Sequence, residues 1–305
     1  MLEGILTLDA DNAFLSADLR RWLAGHLPDV AAITDASWPR AQSRVWRLAT
    51  ETPARAAYLK VSPSQHSYTC ETRAYQQAAT ALGQGQAPRL IAADPALRAV
   101  LVTALPGTVV RSLQLTAATE THVHRLAGRL LRRWHDHLAP APPQAPDTVR
   151  AALAGQAREA AACLDSLSGN LTGAEQDLVR AAARELPALA DLPLVYTHGD
   201  FSPRNWVWDP KRRTLGLIDF ESAAHAPAVQ DLVWLFGAMW PTRPDLRESF
   251  LAGYGRALTA DEHQALRLLT TRSAVSYLAE GITQKDPVLI DRGHTALGHL
   301  ARAHA

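Results

Sequence analysis

Within the 305-residue chain, the side chains best suited to chemistry gather in one stretch. The segment His198-Gly-Asp-Phe-Ser-Pro-Arg-Asn205-Trp-Val-Trp is followed by Leu215-Gly-Leu-Ile-Asp219-Phe-Glu. Asp200 precedes Asn205 by five residues, and Asp219 follows fourteen later at the end of a short apolar strand pattern. Carboxylate and amide oxygens are the hard ligands that magnesium prefers. Pro203 stiffens the loop and keeps its two ends apart. A plain turn is the alternative for Asp200 and Asn205, since such residues favour turns, but it leaves Asp219 unexplained.

A second group lies upstream. Of 31 lysines and arginines only Lys60, Lys211 and Lys285 are lysine. Lys60 sits in the apolar strand Ala56-Ala-Tyr-Leu-Lys-Val61, where a compact ammonium succeeds and a planar guanidinium fails. Tyr58, two residues earlier, faces the same way. On the helix that follows, Glu71 falls in the apolar stripe of Tyr68, Tyr75, Ala78 and Leu82. An acid on a buried face needs a cation. The plainer readings are an edge-strand charge for Lys60, core packing for Tyr58 and a solvated rim for Glu71.

The elements that must position these groups follow from periodicity. A helical start to about residue 28 precedes strands at Ala31–Ile33, Arg44–Leu48 and Ala56–Val61. A helix over Ser67–Leu82 ends at Gly83, and strands at Arg89–Ala92 and Arg98–Leu105 complete an antiparallel sheet of about five. The rest is mainly helical. One stripe runs through Leu126, Leu130, Leu131, Trp134 and Leu138, and a proline loop covers Ala139 to Pro146. Helices follow at about 147–166, 173–187, 228–240, 244–257, 260–283 and 287–303, two of them opened by the capping boxes Thr172/Glu175 and Thr259/Glu262. Short strands fall at Leu194–Tyr196, Trp206–Trp208 and Thr214–Ile218. On a helix His135 and His137 point apart, which argues for solvent exposure over a metal site. The fold class is α+β: two lobes with a cleft between them, divided into residues 1–104 and 105–305.

Composition excludes several classes. A formal net charge of +1 gives no global attraction to nucleic acid or an anionic membrane. No apolar run reaches the roughly 20 residues of a membrane span. Glu3, Asp9 and Asp11 do not read as a secretory leader, and Cys70 and Cys163 make no disulfide framework, so a cytoplasmic protein without an obligate protein partner is expected. There is no Gly-Lys-Ser/Thr phosphate loop and no Gly-x-Ser-x-Gly elbow, and Gly83-Gln-Gly85 lacks the third glycine of a dinucleotide fingerprint.

Taken in order, the lysine strand, glutamate helix, connection, catalytic loop and metal aspartate resemble the aminoglycoside phosphotransferase group, small-molecule kinases with the protein-kinase fold. The resemblance spans nearly the whole chain, and its specific part is the Asp200–Asp219 segment. It implies phosphoryl transfer from ATP or GTP with Mg2+, where positioning and charge neutralisation dominate. Asp200 would accept the acceptor's proton, His198 would orient the loop, and Asn205 and Asp219 would bind magnesium. Lys60, paired with Glu71, would hold the α- and β-phosphates. Tyr58 would stack on the base, and Thr103, Leu105, Val207 and Ile218 would complete the nucleotide site. The span Thr34–Ser43 lacks the usual glycines, which leaves Ser37, Gln42 and Ser43 as side-chain donors to phosphate.

The short passage from Asp219 to Asp231 leaves no bed for a polypeptide, so a small-molecule hydroxyl is the expected acceptor. Asp231 matches a family position that ties its helix to the catalytic loop. An aminoglycoside or related antibiotic would need carboxylates in its pocket, and Glu221, Asp231, Asp261, Glu262 and Glu280 are the candidates. Two alternatives stay open: a metabolic kinase of an amino alcohol, amino acid or sugar, and a catalytically silent nucleotide- or ligand-binding protein.

Overall fold

The computed structural model describes residues 15–37, 43–52, 55–137 and 141–302. The reading of the first fourteen residues therefore lies outside the described residues. In chain order the elements are α1 (Ala17–His26), β1 (Val30–Asp35), β2 (Arg44–Thr50), β3 (Ala57–Val61), α2 (Gln65–Leu82), β4 (Leu90–Asp94), β5 (Ala99–Thr103), β6 (Thr108–Val109), α3 (Ala117–His137), α4 (Ala145–Leu167) and α5 (Gly173–Glu185). They continue with β7 (Leu194–Thr197), β8 (Trp206–Asp209), β9 (Thr214–Leu217), β10 (Ala224–Pro227), α6 (Val233–Ala238), α7 (Pro244–Tyr254), α8 (Ala260–Gln284) and α9 (Pro287–Arg302). Among the described residues no helix is long and apolar enough to cross a membrane.

The chain forms two compact units. The first holds the residues up to Leu113 together with Asn205–Ala223. Its five strands run antiparallel in the order β1-β2-β3-β5-β4, with α2 inserted after β3. Strand alternation divides the sheet's two faces. Ala57 and Leu59 of β3 join Trp46, Leu48, Ala99 and Leu101 under Leu19 and Leu23 of α1 in one core. Tyr58 and Lys60 consequently point to the opposite face, whose helix is α2. A second sheet, β6-β8-β9, belongs to the same unit. Gly107, at φ +114°, allows its backbone to lie against the Trp208 carbonyl, where a Cβ would collide.

The second unit comprises Gln114–Arg204 and the chain from Ala224 onward. Its helices pack around cores such as Ala160, Val179, Val275, Leu278 and Leu297. Both capping boxes are formed, at Thr172/Glu175 and Thr259/Glu262. Helices α3 and α7 approach so closely that a methyl at Gly128 would strike the Phe250 carbonyl and one at Gly253 the Arg125 carbonyl. One local reading is corrected. The stretch 228–240 is a 3-10 turn over Ala228–Leu232 followed by the short α6, not one helix. The segment Ala224–Pro227 is a strand, β10, paired antiparallel with β7.

His124 on α3 is 1% exposed, and burial pushes its imidazole from 6.5 down to about 4. A ring that resists protonation in the fold stabilises fully above pH 6.5, and that contribution disappears as pH falls towards 4. Denaturant titrations across this window are expected to show a loss of up to about 3 kcal/mol from this group. His124→Asn should flatten the profile by that amount, and superimposable pH profiles would remove His124 as the cause.

Candidate active site

Lys60 is 8% exposed and meets three carboxylates. Its Nζ lies 2.6 Å from Asp219, 2.9 Å from Glu221 and 3.2 Å from Glu71. Burial alone would lower the ammonium's affinity for its proton, but the combined field of Asp219, Glu71 and Glu221 raises it well above 10.5. Glu71 is 1% exposed, and burial pushes its carboxyl up from 4.5 to about 7, against the pull of Lys60. Ser43 donates its hydroxyl to Glu221 at 2.9 Å. Asp219 has φ +66°, the left-handed region that Asp and Asn enter more readily than other residues with a Cβ. The next residue, Phe220, is fully buried and meets Tyr75 edge-on at 5.2 Å, which anchors the turn.

The residues expected around a nucleotide all belong to this unit. Tyr58 is half-buried on the Lys60 face of β3 and pairs across the sheet with Val102 and Arg47. Thr103 has its hydroxyl occupied, accepting from the Arg89 amide at 2.9 Å. Leu105 lies so close to Gly216 that a Cβ there would meet its methyl, and Val207 is the strand partner of Gly216. Ile218 donates its amide to the Asn205 carbonyl at 3.0 Å, bringing Asn205 beside the Asp219 turn. Ser37 is engaged with its own hairpin, accepting from the Val45 amide at 2.9 Å. Gln42 lies outside the described residues.

Among the described residues no group of three or more His, Cys, Asp or Glu is arranged to hold a metal ion. Magnesium at a nucleotide needs no such cage: it takes one or two carboxylates plus phosphate and water oxygens. The Asp219 carboxylate, 35% exposed, and the Asn205 amide are donors of that chemistry.

The second unit carries the loop that begins at His198. Asp231, 1% exposed, accepts the amides of His198 at 2.8 Å and Gly199 at 2.7 Å. Its third partner is His135, whose Nε2 lies 2.9 Å away while Nδ1 meets the Tyr254 hydroxyl at 2.9 Å. The expectation that His135 faces solvent is therefore wrong: a buried carboxylate offers it a hydrogen bond, and only His137 is exposed. Phe201 is buried, and its ring meets Phe250 of α7 at 6.1 Å. Asp200 is half-buried, and Arg204 grips its Oδ2 with Nε at 2.9 Å and Nη2 at 2.5 Å. Sequence reasoning quoted Arg204 without giving it a role. Its spacing of four from Asp200 was the available signal.

A cavity of about 450 Å³ opens beside this loop, lined among others by Asp200, Phe201, Trp234 and Tyr277. Of the acids expected around an acceptor, only Asp231 borders it, and that carboxylate is already engaged. Glu221 is held by Lys60 and Ser43. Glu262 is clamped by both terminal nitrogens of Arg256 at 2.7 Å and borders a separate cavity. Asp261 and Glu280 are exposed and do not border this cavity. Periodicity marks exposure on a helix but not which neighbour claims a side chain.

Comparison with known proteins supplies a frame. A model of the phosphotransferase enzyme family matches residues 38–269. No curated protein matches the sequence. The structure is similar to wild-type aminoglycoside 2'-phosphotransferase-IIIa in its GDP complex, with 14% identity, a TM-score of 0.67, and 94% of this chain and 99% of that one covered. It is also similar to macrolide 2'-phosphotransferase MphH from Brachybacterium faecium, at 14% identity and TM-score 0.60, covering 92% and 96%. An aminoglycoside-3'-phosphotransferase of type VIII matches at 22% identity and TM-score 0.61, covering 84% and 98%. At these identities the likeness is one of fold, and that fold is the expected kinase-like α+β arrangement of a sheet unit and a helical unit.

Replacing Lys60 leaves three acids without their common cation. Lys60→Ala is expected to destabilise the protein by roughly 3–5 kcal/mol in denaturant unfolding. Adding Glu71→Gln should recover part of that loss, because it removes one uncompensated charge. Full additivity of the two changes would show that the pair is not coupled.

Proposed function

The chain belongs to the phosphotransferase enzyme family and is a phosphotransferase acting on hydroxyl groups, and from that premise we propose that it moves the γ-phosphoryl group of ATP or GTP to a hydroxyl of a small molecule. The observation that carries this reading is the position of Asp200, the motif's base, on the wall of the 450 Å³ cavity. There it takes the proton of the attacking hydroxyl as the new O–P bond forms and the bond to the β-phosphate oxygen breaks. A phosphate ester and a nucleoside diphosphate leave, and the proton passes from Asp200 to solvent. Arg204 keeps the carboxylate aimed between turnovers.

Lys60 and Glu71 serve the nucleotide. Phosphate oxygens replace Asp219 and Glu221 on the ammonium, while Glu71, buried behind it, keeps it in place. Asp219 and Asn205 would hold magnesium, which would supply positive charge against the phosphate oxygens. Tyr58, Thr103, Leu105, Val207 and Ile218 are the proposed base contacts. The proposed functional division is a nucleotide-binding part over residues 1–104, to which Leu105 and the Asn205–Asp219 stretch add contacts, and a catalytic and acceptor-binding part over the rest of 105–305.

Aminoglycosides and a macrolide are the acceptors named for the structural neighbours, so antibiotic hydroxyls, and resistance by O-phosphorylation, are the first acceptors to test. One observation favours the second reading, a metabolic kinase: apart from Asp200 and the engaged Asp231, the cavity offers a polycation only Asp291.

Purified protein with ATP and magnesium should release ADP in the presence of at least one member of a panel of aminoglycosides, macrolides, amino alcohols and sugars. Asp200→Ala is expected to reduce that release by roughly 10²–10⁴-fold with an almost unchanged thermal transition. Wild-type turnover in this variant would refute the assignment of the base. Lys60→Ala, where it folds, should raise the nucleotide concentration required by about tenfold or more.

A further inference from the structure

We propose that the acceptor carries an oxyanion, such as a carboxylate, received by Arg292 and Arg272 on the α8–α9 wall of the cavity. The inference rests on the reading that Asp200 meets the acceptor hydroxyl. Arg292 lines the cavity and makes no ion pair among the described residues; its guanidinium instead lies 5.2 Å over the Tyr277 ring. Arg272 also lines the cavity. One terminal nitrogen binds Glu159 at 2.5 Å, but its Nε–H is buried without an acceptor. Thr270 also lines the cavity; it is 2% exposed and its hydroxyl has no hydrogen-bond partner.

These unmet groups share one chemistry. Two are cationic donors and the third is a hydroxyl that can donate. A buried donor without a partner is costly, and Arg292, with no ion pair among the described residues, is the cation that an oxyanion in the cavity would meet first. The guanidinium fork matches a carboxylate better than any neutral acceptor. The cavity's own acids cannot fill that role. Arg204 holds Asp200, two amides and His135 hold Asp231, and Asp291 sits exposed at the rim. A polycation would face Arg272 and Arg292 with like charge. Trp234 and Tyr277 supply flat apolar walls, which suit a hydroxy acid with a ring or carbon skeleton between hydroxyl and anion.

Matched pairs test this directly: 3-phenyllactate against its methyl ester, quinate against methyl quinate, and gluconate against sorbitol, with kanamycin as the polycation. Two readouts are taken, ADP release with ATP and magnesium, and the shift in melting temperature without nucleotide. At least one anion should show a kcat/KM about tenfold above that of its neutral partner, or reach half the melting shift at an about tenfold lower concentration. That preference should collapse in Arg292→Gln and return in part in Arg292→Lys. If Arg292→Gln fails to fold, Arg272→Gln is held to the same criterion. Preference for the neutral partner or for kanamycin, no anion preference in either readout, or an unaltered preference in the variants overturns the inference. An anion-dependent shift without ADP release supports the inference and counts against the proposed function instead.

Discussion

One ammonium group confronting three carboxylates is the constraint around which the sheet unit is organised. Lys60 can reach Asp219, Glu221 and Glu71 together only because β3 turns it away from the α1 core and α2 presents Glu71 from its buried stripe. The group is electrically unbalanced. Desolvated charge is costly unless it is paired, and burial, with smaller contributions from Asp219 and Glu221, raises Glu71 to about 7 despite Lys60. A triphosphate alone would add negative charge to an acid-rich site. On the proposed function it would become acceptable in company with a divalent cation, and charge balance would then link nucleotide binding to metal binding.

Much of this was legible in the sequence. Lys60 betrayed itself as a lysine in an arginine-writing chain, and Glu71 as an acid inside an apolar stripe. The five-strand sheet with one inserted helix followed from alternation. What escaped detection has physical reasons. His135 was judged by its relation to His137, two residues away, although it continues the buried stripe four residues after Leu131. The strand β10 is spelled Ala-His-Ala-Pro, a sequence with no β-branched or large apolar residue to announce it. The tertiary partner decides such cases, and one sequence does not contain it.

The acceptor side escaped for a related reason. Acids on α8 invited the picture of an anionic pocket, but Glu262 caps its own helix and binds Arg256. The cavity wall is written instead in Thr270, Arg272 and Arg292, residues that look like ordinary surface choices until burial and missing partners are known. Segment boundaries behaved similarly. The stretch Asn205–Ala223 follows the His198–Arg204 loop in sequence yet packs with the N-terminal residues, because β8 pairs with β6 and β9 packs on Gln86.

The interlocked glycines of α3 and α7 have an evolutionary consequence. With Gly128 seated on the Phe250 carbonyl and Gly253 on that of Arg125, neither helix can slide or roll past the other. The joint is keyed. His135 at one end of it therefore keeps its bearing on Asp231 whatever happens to the walls around Trp234 and Tyr277. If the cavity receives the acceptor as proposed, substrate preference could drift by substitution on α8 and α9 while the joint stays closed to change, separating a part free to explore new ligands from a part that must stay as it is.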